Sequence, residues 1–234
     1  MKLDSLARLN DARRKRQAAI TVTDIASGQG RLIVEQDGYA ADPLAADLAT
    51  RFRSGVSGLA DEGRSFLTVH LPSPQFVIIG AVHISQALAP MAKLAGFDVT
   101  IIDPRTAFAT ADRFPDVRLI AEWPADVIPA KLALDPFTAL AALTHDPKVD
   151  DGAIAAALHA GCFYVGALGS RKTHGRRLDR LTALGFDETA LAAIHARIGL
   201  PIGAQSPAEI AVAVLAQVIG ALRARGAAVK EAAT

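Results

Sequence analysis

The stretch from Gln75 to Arg105 constrains this chain most. Phe76-Val77-Ile78-Ile79 is a continuous apolar run of the kind shown by a strand buried on both faces, and Gly80-Ala81-Val82-His83 follows it as a tight connection. From Ile84 the apolar positions Leu88, Met91, Ala92 and Ala95 recur at helical spacing, and Gly96 supplies a left-handed stop. Val99-Thr100-Ile101-Ile102 then reads as a second strand ending in Asp103, so the stretch is a βαβ unit. An acid about twenty residues beyond the glycine turn stands where dinucleotide folds hold a ribose hydroxyl. The pattern G-x-G-x-x-G, however, is met by Gly80, Val82 and Ser85. A β-branched Val82 should obstruct the backbone's approach to a pyrophosphate, which makes NAD(P) the lesser expectation.

With 234 residues and 51% hydrophobic content the chain can bury one large core, or a small one beside a medium one. Twenty-five basic against 24 acidic residues leave a formal net charge of +1, which gives no global field for nucleic acid. The lone Cys162 excludes an intrachain disulfide and a cysteine-based zinc site, and no metal ligand set stands out. No apolar run approaches the roughly 18 residues of a membrane span, and Met1-Lys2-Leu3-Asp4 has no signal-peptide core. The expected location is the cytoplasm.

Residues 1–17 suit a helix whose basic end, Arg13-Arg14-Lys15-Arg16, is solvated. Residues 19–24 and 31–35 read as strands, 43–52 as a helix and 65–71 as a strand, and Pro72-Ser73-Pro74 marks a boundary. Beyond Arg105 come a short strand at 118–121 and a connection over 123–134 in which Trp123 is expected to pack. A strand at 138–143 feeds Thr144-His145-Asp146-Pro147 and a helix over 150–160. Cys162-Phe163-Tyr164-Val165 delivers the glycine loop Gly166 to Lys172, from which a helix runs to Leu184. Ser206-Pro207-Ala208-Glu209 is a capping box opening a last helix, and 226–234 reads as a frayed end. The expected architecture is α/β, a doubly wound parallel (Rossmann-like) sheet over 75–225 with a smaller amino-terminal α/β domain over 1–72.

Ligands of such sheets bind outside the carboxyl ends of the strands. The candidate cofactor-binding set is therefore Gly80, Ala81, Val82, His83, Asp103, Arg105, Thr144, His145, Asp146, Gly166, Gly169, Ser170, Arg171 and Lys172. Each alone admits a plain reading: Asp146-Pro147 can be a turn, and a lone histidine a satisfied polar group. The loop Gly166 to Lys172 is the best anion site, because its glycines free backbone N–H groups, a helix starts there and two cations follow. No serine nucleophile motif is present and no catalytic residue is assigned. Cys162 is expected to be core rather than a reactive thiol.

At these residues the chain resembles a known family. Leu143-Thr144-His145-Asp146, the run from Tyr164 to Lys172, Ile198-Gly199-Leu200-Pro201-Ile202-Gly203-Ala204 and Ser206-Pro207-Ala208-Glu209-Ile210-Ala211 are similar to the signature of the xanthine dehydrogenase accessory and carbon monoxide dehydrogenase maturation proteins, the XdhC/CoxI family. The resemblance covers about residues 75–223. It implies a chaperone without turnover of its own that binds molybdenum cofactor, as molybdopterin cytosine dinucleotide, protects it during sulfuration and delivers it to a molybdenum hydroxylase apoenzyme such as xanthine dehydrogenase. A cysteine desulfurase or sulfurtransferase and a second copy of the chain are further expected partners. Val82 stands where the family commonly has glycine and Arg197 where proline is usual, and the amino-terminal region lacks the family's proline-arginine element and glycine triplet. A nicotinamide-dependent oxidoreductase and a nucleotide-sensing module are the rival readings.

Overall fold

The computed structural model describes residues 3–227. Two compact units separate, Met1–Pro72 with Arg223–Thr234, and Ser73–Leu222. In the first, α1 (Leu3–Arg14) precedes the antiparallel pair β1 (Ala19–Asp24) and β2 (Gly30–Val34). Next come α2 (Ala45–Ser54), β3 (Gly58–Ala60) and β4 (Ser65–His70), and the four strands lie in the order β2-β1-β4-β3. Its core includes Leu9 and Ala12 of α1 against Ala19, Leu32 and Val34.

The second unit holds β5 (Gln75–Ile79), α3 (His83–Leu94), β6 (Asp98–Ile102), β7 (Arg118–Ile120), the single turn α4 (Pro124–Val127) and β8 (Thr138–Ala142). After these come α5 (Pro147–His159), β9 (Tyr164–Ala167), α6 (Arg171–Ala183), the short α7 (Glu188–Ala192), β10 (Ile194–Ala196) and α8 (Pro207–Ala227). All six strands are parallel, in the order β10-β9-β8-β5-β6-β7, so the chain leaves β5 to one side and returns to β8 on the other. Period-two alternation divides each strand between two cores. Phe76, Ile78, Val99 and Ile101 face α3 and the α8 residues Ala211, Val214 and Val218, whereas Val77, Ile79, Leu140 and Val165 face Val149, Ala153 and Ile154 of α5 and Leu181 of α6. The doubly wound α/β fold with a smaller amino-terminal sheet is thereby established.

Several elements differ from the sequence expectation. α5 starts at Pro147 rather than near 150, because Asp146 caps it by accepting from the Lys148 amide at 2.9 Å and proline suits the first helical position. β9 starts at Tyr164, two residues late, and β3, α7 and β10 are additional. Trp123 does not pack as expected: it is 47% exposed ahead of α4. The capping box forms as read, with the Glu209 carboxylate accepting from the Gln205 and Ser206 amides. Residues 207–225 are long and apolar enough, by length and composition, to cross a membrane. A search for unbroken apolar runs passes over them because Glu209, Gln217 and Arg223 interrupt the sequence. Most of the expected frayed end lies outside the described residues.

We propose that residues 72–74 are a domain boundary. Limited proteolysis of the full chain should cut there first and leave a resistant carboxyl-terminal fragment, read by mass spectrometry. Initial cleavage inside the parallel sheet would contradict this.

Candidate functional site

The strand register sets the site. Ile79 pairs with Ile102 and Ala142, Ile102 with Ile120, Ala142 with Ala167, and Ala167 with Ala196. The residues that follow, Gly80, Asp103, Leu143, Leu168 and Arg197, therefore emerge level along one edge. Backbone bonds continue the ladder there, from Gly80 N to Ile102 O at 2.9 Å, Leu143 N to Ile79 O at 2.9 Å and Leu168 N to Ala142 O at 2.8 Å. The strand order reverses between β5 and β8, which places Gly80 beside Thr144 at the switch point.

Gly80 has φ +115°, and a Cβ there would lie 2.8 Å from Thr144 Cγ2, so close packing of the two loops requires glycine. The turn is closed inward. The Ala81 amide donates to Asp103 Oδ2 at 2.7 Å, and the Ser85 hydroxyl donates to the Gly80 carbonyl. Asp103, with its side chain fully buried, also accepts from the Arg105 amide and Nε at 2.9 Å each and from Arg105 Nη2 at 2.6 Å. Burial alone would raise the Asp103 pKa, but Arg105 and the amide donors outweigh it and hold the carboxyl below its ordinary value. All its bonds thus go to the protein, and the ribose-binding role suggested by sequence would compete with Arg105. Val82 precedes α3 without offering a side-chain cap, and His83 is exposed.

On the other side of the switch point, Asp150 holds the β8 turn. Its carboxylate accepts from the Thr144 hydroxyl at 2.7 Å and from the His145 amide at 3.0 Å, which fixes His145 at φ +63°. Thr144 Oγ1 in turn accepts from the Asp146 amide at 3.1 Å. Thr144 and Asp146 are thus engaged in building the turn, while the His145 side chain is exposed.

The glycine loop differs in detail from its sequence reading. Gly166 lies inside β9, paired with Ala141 and His195, and a Cβ on it would meet the Tyr164 hydroxyl at 2.5 Å and Ile198 at 2.7 Å. Its role is close packing rather than freeing an amide. Gly169, at φ +152°, is the true turn glycine. Ser170 caps α6 by accepting from the Thr173 amide at 3.2 Å. Among the described residues, the side chains of His83, His145, Arg171, Lys172 and Arg197 make no hydrogen bond or ion pair.

Beneath this turn lies a residue that the sequence reading passed over. Arg177 is 2% exposed and donates from Nη2 to the Leu168 carbonyl at 3.2 Å, while its Nε and Nη1 have no hydrogen-bond partner. Nη1 would lie 3.9 Å from a Cβ on Gly169. Asp150 Oδ2 and Asp151 Oδ1 stand 3.8 and 3.7 Å from the guanidinium, beyond hydrogen-bond range, and Arg180 engages Asp151 from the rim. Burial lowers the Arg177 pKa and raises that of Asp150, because pairing at this distance only partly offsets desolvation. Helical spacing was the available signal: Arg177 is four residues before buried Leu181, and Asp150 falls in phase with Ala153, Ile154 and Ala157.

Cys162 is half-buried, and burial pushes its thiol up to about 12. Among the described residues no group of three or more His, Cys, Asp or Glu is placed to hold a metal ion.

The Asp103–Arg105 contact makes a pH prediction. A carboxyl held below its ordinary 3.8 stabilises the fold above that value and loses the contribution as pH falls through the folded-state pKa. Asp103→Asn should cost about 2–3 kcal/mol at neutral pH. In urea unfolding the gap from wild type should hold steady above about pH 5 and shrink toward acid. A gap that widens toward acid would refute the pairing.

The chain matches the XdhC Rossmann domain family over residues 76–218. It is 33% identical over 157 residues to the uncharacterized protein YqeB of Escherichia coli K12, covering 66% of this chain and 28% of that protein. It is 31% identical over 149 residues to a probable xanthine dehydrogenase component of Bacillus subtilis 168, covering 63% and 43%, and 31% identical over 147 residues to the molybdenum cofactor insertion chaperone PaoD of E. coli K12, covering 63% and 40%. The chain thus spans less than half the length of these curated relatives. A crystal structure of a xanthine dehydrogenase from Bacillus halodurans shares the fold, with a TM-score of 0.69 at 22% identity, over 95% of this chain and 65% of that one. With the family's Rossmann domain matched over more than half its length, the chain belongs to the XdhC family.

Proposed function

We propose that this protein is a maturation chaperone that binds molybdenum cofactor as cargo and delivers it to a molybdenum hydroxylase apoenzyme. The observation that carries the reading is the start of α6. There the free cations Arg171 and Lys172 follow the Gly169 turn, and Arg177 lies beneath it with two nitrogens unbonded. Ser170 takes up the Thr173 amide and leaves the Arg171 and Lys172 amides without an intrahelical acceptor, so these two amides and the two surface cations fit an anionic phosphate group. Similarity to a molybdenum cofactor insertion chaperone supports the choice of cargo. The proposal extends to the sulfurated cytosine dinucleotide form and to a sulfurtransferase as second partner. Full use of the Asp103 oxygens by the protein argues against the nicotinamide-dinucleotide alternative.

In this reading the protein's work is to hold and shield. Asp150 fixes the turn that presents His145, Asp103 and Arg105 keep the β5 turn closed, and Arg171 and Lys172 face the phosphate end of the cargo. No residue is assigned to making or breaking a bond.

Two outcomes are expected. Protein purified from a host that makes the cofactor should release a molybdopterin dinucleotide identifiable by mass spectrometry, and loss of the protein should leave a client hydroxylase assembled but poor in sulfurated cofactor. A client with full activity and full molybdenum in its absence would refute the reading. Arg171→Ala with Lys172→Ala should weaken cargo binding by about 2–4 kcal/mol with little change in melting temperature.

A further inference from the structure

Next to the Gly169 turn lies a crevice of about 500 Å³, walled by Leu168 and Gly169, the loop at 197–204, and Ile210 and Ala213 of α8. That volume is in the range of small-molecule sites. Its side chains are apolar except for Arg197, which sits at φ +63°, is exposed and is unpaired among the described residues. Leu200 and Ile202 are 42% and 55% exposed on the same wall, so apolar surface stands open to water beside a free cation. Buried Arg177 adds an independent observation, since its unbonded Nη1 stands 3.9 Å from where a Cβ on Gly169 would lie, at one lip of the crevice.

We propose that this crevice seats the ring-bearing part of a phosphorylated ligand, with the phosphates held over the start of α6 between Arg197 and the Arg171–Lys172 pair. The assignment rests on the cofactor reading above and specifies which part of the cargo goes where. Apolar walls without side-chain donors other than Arg197 favour a planar ring by contact area and do not read its edge. Arg197 and the α6 cations, approaching from two loops, demand a group with charge on several oxygens, which a phosphate ester or pyrophosphate supplies. Gly199 keeps the wall in place. Its amide donates to Gln217 Oε1 at 2.8 Å, the Tyr164 hydroxyl donates to the same oxygen at 2.8 Å, and a Cβ on Gly199 would press on Ala213 at 3.0 Å.

Calorimetric titration of the full chain with inorganic pyrophosphate, cytidine diphosphate and adenosine diphosphate tests this. Both nucleotides should bind at least tenfold more tightly than pyrophosphate and within about fivefold of each other. Ala204→Trp, which fills the crevice from its half-buried wall, should remove the nucleotide advantage and leave pyrophosphate binding within twofold. Arg197→Ala should weaken all three about tenfold. Ile202→Glu, at the exposed rim where folding is not at stake, should weaken all three as well. Equal binding of pyrophosphate and nucleotides by the wild type, no binding of any probe, or an unchanged nucleotide advantage in a folded Ala204→Trp protein would overturn the assignment. The cofactor reading is judged separately, by the molybdopterin content of the purified protein and by client maturation, so either can fail alone.

Discussion

The buried approach of Arg177 to Asp150 ties together the edge of the sheet where the site lies. Two opposite charges 3.8 Å apart, both nearly inaccessible to water, form a costly arrangement, because desolvation penalises each and no direct hydrogen bond repays it. What each partner does with its remaining valence explains the arrangement. Asp150 accepts from Thr144 and His145 and so shapes the turn after β8, while Arg177 donates to Leu168 and so props the turn after β9. The pair therefore couples two loops that carry candidate ligand groups. Loss of either charge would leave the other uncompensated, a penalty typically of about 3–5 kcal/mol.

That coupling depends on the parallel sheet. A register that brings residues 80, 103, 143, 168 and 197 level places every loop leaving a strand on one edge. Small residues do the rest. Ala139, Ala141 and Ala142 of β8 and Ala167 of β9 are wholly buried, and the missing side chains at Gly80 and Gly166 let Thr144 and Ile198 close in. Bulk at these positions would separate the turns and leave Arg177 and Asp150 facing water instead of each other.

Much of this was legible in the sequence, because the determinants were local. The apolar run at 76–79, the stop at Gly96 and the capping box at Ser206 fix elements through neighbours a few residues away. β10 was hidden because three residues, Ile194 to Ala196, with a polar histidine in the middle, are too short a run to mark a strand. Its identity as a strand comes from pairing with β9 across some thirty residues. Asp103 was found by its place at a strand end, but the sequence could not tell that Arg105 takes up its oxygens. Arg177 was lost among the cations of α6: its helical spacing to Leu181 separates it from Arg176, which is exposed, but that spacing carries weight once the phase of the helix against the sheet is known.

Two strained residues mark where that edge is under constraint. His145 and Arg197 both hold φ near +63°, a conformation that costs a non-glycine residue roughly 1–3 kcal/mol unless its surroundings impose it. Each follows a strand of the parallel sheet within a few residues, and each turn is held from behind, the first by Asp150 and the second by Gln217, which accepts from the Gly199 amide. A left-handed residue at such a point reverses the chain sharply, so that the strand end can stay packed while the next side chain turns away from the core. In both cases the side chain released in this way, an imidazole in the first and a guanidinium in the second, is unbonded among the described residues. The strain is therefore sited where it frees two hydrogen-bonding side chains at the carboxyl edge of the sheet, on either side of the Gly169 turn, and that placement fits an edge built to receive a polar ligand.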